Sequence, residues 1–421
     1  MKMFRLLLTL VAMAMVSGAY AQEEAKASFK LSGMFRTLGE YRDGFGKPLV
    51  KDVSVPASVI RARTRFTAEY TKDKLTTKLT IQDTRSWGSQ YITANDVSEP
   101  LHVFEAWAKY QFTPKLALKL GRQQITYGFN RLLDNVDFSN QGLSHDAAVL
   151  QYETPENTKL HFGFSKSSAT KFSSAGEAYT NSGYHKHMAF MFYSNKLSEN
   201  VTLNILDLFL TYQGETSPEN VRGLNTLGGN LMYDSEGLFA DLTSYYQHAS
   251  RGALNTNKVS AYMVAAGVGM KFGKSSLKLC YDLYSGKDVG SNENTTFDKL
   301  YGGGHRYLGH MDYFTTIPEQ GINDLYLEFK TTINDKSSLL ANLHYLSSTN
   351  AIPNYSSALG TELDMAYSYK AAKEAEFKFG YSFMLPTETY KAVWLKDNNA
   401  DTRFANWFWV MATFTPTFLN M

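Results

Sequence analysis

A single cysteine, Cys280, stands in a chain of 421 residues. One thiol excludes an intramolecular disulfide framework and any cysteine-based metal cluster. Long apolar runs are equally scarce. Beyond the N-terminal stretch no segment approaches the ~20 residues that a helix needs to cross a bilayer, so a helical membrane protein is excluded. No stretch rich in proline or serine divides the chain into domains. Net charge is missing too: without Lys2 and Arg5 of the N-terminal stretch, 40 basic residues face 40 acidic ones. A neutral chain has no bulk attraction for a polyanion, and only local clustering could supply one.

What is present starts at the N-terminus. "MKMFRLLLTLVAMAMVSGAYAQ" carries Lys2 and Arg5, an apolar run from Leu6 to Val16, and small residues at Ala19 and Ala21. This is the pattern of a secretory signal peptide over residues 1–21, cleaved before Gln22, with export through the Sec pathway. Residues 22–421 are then expected to form one domain. Aromatic residues are abundant, with 27 Tyr, 27 Phe and 5 Trp, yet the mean hydropathy is only −0.31. A β-barrel reconciles the two, because its lumen-facing half keeps the average polar while its outer half is greasy.

The periodicity agrees. "TELDMAYSYK" sends Leu363, Met365, Tyr367 and Tyr369 one way and Glu362, Asp364, Ser368 and Lys370 the other. "AEFKFGYSFM", "SSLKLCYDLY", "DLYLEFK" and "FEAWAKY" alternate likewise, the last grouping Phe104, Ala106, Ala108 and Tyr110 against Glu105, Trp107 and Lys109. Alternation of this kind marks strands with one apolar face. Short turns at 70–75, 112–116, 272–277 and 333–339 interchange with longer Ser/Gly/Asn-rich stretches at 165–186, 213–229, 285–324 and 347–361. Tight turns at one end and long loops at the other are the layout of an outer-membrane barrel. A secreted β-sandwich also alternates, but these strands run past the usual 5–6 residues. At about 22 residues per strand and connection, the chain has room for on the order of 16, 18 or 20 strands, enough to enclose an aqueous lumen. "FANWFWVMATFTPTFLNM" then reads as the closing strand.

In this context "IRARTRFTAEY" has a defined orientation. Arg61, Arg63, Arg65, Thr67 and Glu69 face the lumen, and Ala62, Thr64, Phe66, Ala68 and Tyr70 face lipid, since the reverse would cost about 2–4 kcal/mol per midplane arginine. Six of the thirteen arginines lie between 61 and 131, among twelve basic and six acidic residues. A ring of such side chains selects for anions, and guanidinium forks match carboxylates. The other reading is that the arginines pair with Asp83, Glu105, Asp134 and Asp137 and brace the lumen. Parity adds that Arg122, in step with Leu116, Leu118 and Leu120, and the pair Asp83 and Arg85, in step with Leu79 and Ile81, lie at a rim or beyond a bulge.

"IRARTRFTAEY", "IQDTRSWGSQ", "LKLGRQQITYGFNRLLDNVDFSNQGLSHDAAVLQY" and "FDKLYGGGHRYLGHMDYF" resemble, in that order, the sequence blocks of the alginate export family of outer-membrane porins. The resemblance implies an 18-stranded, monomeric, up-and-down antiparallel barrel with an Arg-rich constriction that passes an anionic polysaccharide. It would place Arg61, Arg63, Arg65, Asp83, Arg85, Glu105, Arg122, Arg131, Asp134 and Asp137 in the charged lumen and its folded-in loops. His305, Arg306 and Asp312 would sit in a long loop near the channel. The expected partners are outer-membrane lipid and lipopolysaccharide, and small hydrophilic solutes or an anionic polysaccharide.

Readings of other classes fare worse. Ser144, His145 and Asp146 are consecutive, so strand alternation keeps them from converging as a triad, and His145 is expected at a turn or rim. His305, His310 and Asp312 could hold a metal only if a wet loop aimed all three inward, and "YHKHM" offers less. The aromatics follow the lipid period, which is no platform for nucleic acid. No catalytic residue, metal, cofactor or nucleic-acid partner is expected. The rivals to a diffusion channel for anions are a non-selective general porin and a barrel that serves as an adhesin or enzyme through its long extracellular loops.

Overall fold

The computed structural model describes residues 27–89, 101–167, 185–213, 221–249, 258–291 and 293–421. The expected leader, residues 1–21, lies outside them. Strands β1 (Ser28–Asp43), β2 (Ala57–Lys72), β3 (Leu75–Ser86), β4 (Leu101–Thr113), β5 (Leu116–Gln123) and β6 (His145–Glu153) open the barrel. They are followed by β7 (Lys159–Lys166), β8 (His187–Lys196), β9 (Val201–Gln213), β10 (Val221–Asp234), β11 (Leu238–Ala249) and β12 (Val259–Phe272). The wall is completed by β13 (Ser275–Tyr284), β14 (Ile322–Asn334), β15 (Ser337–Ser347), β16 (Ala358–Ala372), β17 (Ala375–Pro386) and β18 (Ala405–Phe414, resuming at Thr417–Asn420). Each strand pairs antiparallel with its neighbours in sequence, and β1 pairs with both β2 and β18, so an 18-stranded barrel closes without an edge. Closure satisfies every strand's backbone groups where water is absent.

Alternation works as expected. Phe66 is 46% exposed on the outside of β2, while Arg65 beside it is 8% exposed inside. Leu279 and Tyr281 face out from β13, and Cys280 and Asp282 are buried. The short turns join β2 to β3, β4 to β5, β12 to β13 and β14 to β15, as their residues predicted. All the tight turns lie at the end that also carries Ser28 and Asn420, and the long connections lie at the other.

Three local departures have physical causes. The stretch 213–229, read as a loop, holds the first nine of the 14 residues of β10. Gly228 and Gly229 belong to a close approach, because a Cβ on either would stand 2.0 Å from a carbonyl oxygen of Ser244 or Asn204. The closing strand breaks at Thr415–Pro416, since proline cannot donate to the ladder. There β1 shifts register between Leu31 and Ser32, and the Gly33 amide donates instead to Pro416 O at 2.9 Å. Finally, the β3–β4 register shifts beside Glu105, and Phe104, expected on the lipid side, turns inward and is 2% exposed. A bulge reverses the face of one residue, and here it puts the ring under the Arg65 guanidinium, 3.8 Å away.

Two long connections, 124–144 and 285–321, fold into the barrel. Leu132, Leu133, Phe297, Leu308, Met311 and Phe314 from these segments are buried against inward residues of the wall, among them Met188, Leu206 and Leu208. The segments also bond to each other: Leu133 forms a parallel bridge with Tyr301, whose carbonyl accepts the Asp134 amide at 3.1 Å.

Candidate functional site

Arg36 of β1 stands opposite Arg63 of β2 in the ladder, and Arg61 and Arg65 flank it on the same inner face. A column of like charges survives in a partly buried wall only with counter-charges and acceptors. Asp137, from the folded-in 124–144 segment, supplies most of them. Its Oδ1 accepts from Arg63 Nη2 at 2.7 Å and from Arg65 Nη1 at 3.4 Å, and its Oδ2 lies 3.9 Å from Arg36 Nη1. Arg36 and Arg63 also donate to the Asp137 carbonyl at 2.6 and 3.1 Å, and Arg36 reaches Ser139 O at 2.7 Å. Burial raises the Asp137 carboxyl, but the guanidiniums of Arg63, Arg36 and Arg65 outweigh it and hold the pKa below the usual carboxylate range.

Nearer the long-loop end of β1 and β2, Arg61 Nε donates to Glu40 Oε2 at 2.5 Å, and the same carboxylate takes Arg42 at 2.9 Å and the Trp407 indole at 3.2 Å. Five guanidiniums of this wall therefore share two carboxylates as partners. The bracing reading and the basic-wall reading are both partly right. The arginines hold one of the protein's own loops, and positive charge is left over.

The folded-in segments bring together the other lumen residues. Arg131 is gripped by the buried Asp282 carboxylate, donates to the Tyr284 hydroxyl oxygen at 2.8 Å, and lies over the Tyr307 ring at 3.5 Å. Arg306 Nε is 3.5 Å from Asp134. His305 Nδ1 is 2.9 Å from Asp312 Oδ1, and its ring is stacked on Phe138 at 4.0 Å and on His310 at 5.0 Å. Glu105 faces inward, where Lys78 pairs with it at 2.8 Å. Lys299 is enclosed beneath the loop, and burial pulls its pKa down to about 8.

Asp83, Arg85 and Arg122 are not lumen residues. Asp83 and Arg85 share the outer face of β3 with the exposed Leu79 and Ile81, and pair with each other at 2.7 Å near the long-loop end. Arg122 shares the outer face of β5 with Leu120 and pairs at 3.2 Å with Asp146, 66% exposed on β6. Gly121, at φ +120°, does not invert the face, so parity carries through to the rim. Hence Asp146 points away from His145, whose buried ring packs 5.0 Å from Tyr301 on the inner face and not at the rim surface.

A buried acidic strip across the barrel went unnoticed in the sequence. Asp282, Asp324, Glu362 and Asp364 line the inside of β13, β14 and β16, each at most 1% exposed, with His344 of β15 between Asp324 (2.9 Å) and Asp364 (3.5 Å). The amides of Met311 and His310 donate to Glu362 at 2.7 Å and Asp364 at 3.1 Å, docking the second loop. The inward parity of these acids was readable; their depth under a loop was not. Among the described residues, no three His, Cys, Asp or Glu side chains are grouped to hold a metal.

Comparison with known proteins follows this geometry. The family model described as "Alginate export" matches residues 31–406. No curated protein sequence matches. Among solved structures, Pseudomonas aeruginosa OccD3 (OpdP) superposes with a TM-score of 0.63 at 11% identity, over 96% of this chain and 98% of that one. Acinetobacter baumannii OccAB1 gives 0.62 at 13% identity, over 95% and 100%. P. aeruginosa OccK2 (OpdF), crystallised in complex with glucuronate, gives 0.59 at 12% identity, over 93% and 97%. At such identities the likeness is one of fold.

Proposed function

Because the chain belongs to the alginate export family, an outer-membrane porin family, we propose that its barrel is a monomeric channel for the passive diffusion of hydrophilic anions, carboxylated saccharides above all. One observation carries the choice of sign: five guanidiniums on the β1–β2 wall share only two carboxylates. Exposed pairs are screened, but charge left over in a narrow lumen with low-dielectric walls acts on every passing ion. The acidic strip opposes this less, because its carboxylates are buried and already accept from Arg131, His344 or loop amides. OccK2, a relative in fold, binds glucuronate, which is the chemistry such a wall would favour. A cleaved leader over residues 1–21 and Sec export fit this location.

The test is the reversal potential of the full-length protein in planar bilayers across a KCl gradient. The expected sign is that of chloride preference, weakening toward zero in an Arg61/Arg63/Arg65→Ala variant. Cation preference, or a triple variant with unchanged selectivity, would leave the arginines as braces alone. A barrel that conducts under no condition would favour the adhesin reading.

A further inference from the structure

The guanidiniums of the basic wall are engaged, so the question becomes where an anionic solute would find unengaged donors. A cavity of about 440 Å³ lies on the inner face of β5 to β9, roofed by residues 124–130 and reaching toward the short-turn end. Its size falls in the range of small-molecule sites, roughly 300–1,000 Å³. No carboxylate lines it. Two of its lining residues, Lys119 and Lys159, pair with no acid among the described residues; the Lys119 ammonium only overlies the Trp107 ring at 4.1 Å. Elsewhere the inward Lys78 and Lys278 both hold a carboxylate within 2.8 Å. Two acids stand close by, and each is held by another residue: Glu153, opposite Lys159 in the β6–β7 ladder, pairs with His161 at 3.0 Å, and Glu105, whose charge reaches Lys119, pairs with Lys78 at 2.8 Å.

The rest of the lining is equally particular. Gln124, Asn130, Gln151 and Asn204 present four carboxamides, each both donor and acceptor, as is each hydroxyl of a sugar, while Gln123 braces the floor by donating to Gly121 O at 3.2 Å and Ala147 O at 3.0 Å. Gln151 Oε1 is enclosed without any hydrogen-bond partner, an unmet acceptor that calls for a donor such as a hydroxyl. Tyr127 and Phe192, stacked at 4.3 Å, add an apolar patch against which the C–H face of a ring can pack. Gln123, Gln124, Tyr127 and Asn130 are the very residues of "GRQQITYGFN", which the charged-lumen reading left without a role.

We propose that this cavity is a binding subsite for a hexuronate unit, in which Lys119 and Lys159 take the carboxylate, the carboxamides take the hydroxyls, and Tyr127 with Phe192 supports the ring. The proposal rests on the channel reading for its setting but names a different location from the arginine wall. A subsite of this kind gives weak, rapidly exchanging binding, as a channel requires.

The full-length protein in a planar bilayer, titrated with sodium glucuronate from either side, tests it. Glucuronate interrupts the current, more strongly from the short-turn side. A Lys119→Gln/Lys159→Gln variant weakens that block at least about tenfold, as expected for a lost carboxylate–ammonium contact. Glucose and acetate, each lacking half of the recognised chemistry, block far less. Unchanged block in the double variant, acetate equal to glucuronate, or loss of block on Arg36→Gln instead would each overturn the subsite while leaving the channel intact. If the barrel conducts no ions, the channel reading fails, and calorimetric titration of glucuronate into the detergent-solubilised protein and its double variant still decides the subsite by the same tenfold difference.

Discussion

Asp137 is the residue on which the basic wall turns. It is a loop carboxylate seated where a solute carboxylate would sit, and it neutralises part of the charge that would attract one. Its depressed pKa fixes the sign of the pH effect. A carboxyl whose folded pKa lies below its unfolded value near 3.9 contributes stability above that value, and loses it as pH falls through the lower folded value. Acidification below about pH 4 should therefore release the 137–139 hold and uncover positive charge together. In bilayers the wild type should shift toward stronger anion preference over that range, while Asp137→Asn starts shifted at neutral pH and gains less on acidification. A variant that becomes less anion-preferring would refute this role. The arginines on that wall were legible from parity alone. Their partner was not, because Asp137 stands 74 residues from Arg63 in a segment with no period to read.

At the scale of single elements, alternation decided almost everything, and the misreadings lie where alternation is locally suspended. The bulge at Phe104 inverted one face, and no single residue there announces it. In β10 the small polar residues Asn225, Thr226, Gly228, Gly229 and Asn230 look like loop because their side chains carry so little apolar surface. The strand needs its two glycines for a second reason: there the neighbouring backbones come too close for a Cβ. Gly228→Val should accordingly cost at least about 1–3 kcal/mol in over-packing. Heat-modifiability on a gel measures it, with the folded, fast-migrating band lost at a lower temperature than in the wild type. Equal transition temperatures would mean that β10 can shift to admit the side chain. Conversely, Asp83, Arg85 and Arg122 show parity outperforming resemblance. The family pattern put them in the lumen, and the two-residue period put them outside, where the structure has them.

For the molecule as a whole, the barrel is a frame and the two inward loops are what it frames. The first loop is held to β1 and β2 through Asp137, and the second to β16 through the Met311 and His310 amides. Gly309 makes the second attachment possible, since at φ +88° a Cβ would lie 2.4 Å from the Glu362 carboxylate. Arg131 ties the assembly to a third place on the wall, Asp282 of β13, while its guanidinium is covered by Tyr307 of the other loop. Removing Arg131 leaves Asp282, 1% exposed, without its cation. Breaking one side of such a buried pair costs about 3–5 kcal/mol. Arg131→Met should therefore lower the unfolding temperature and loosen both loops at once, because Leu133 and Tyr301 couple them. Bilayer recordings should then show larger and noisier unitary currents, with the anion preference set by β1 and β2 retained. If the variant melts lower yet conducts with wild-type amplitude and noise, the loops do not limit the passage, and the constriction lies in the wall residues themselves.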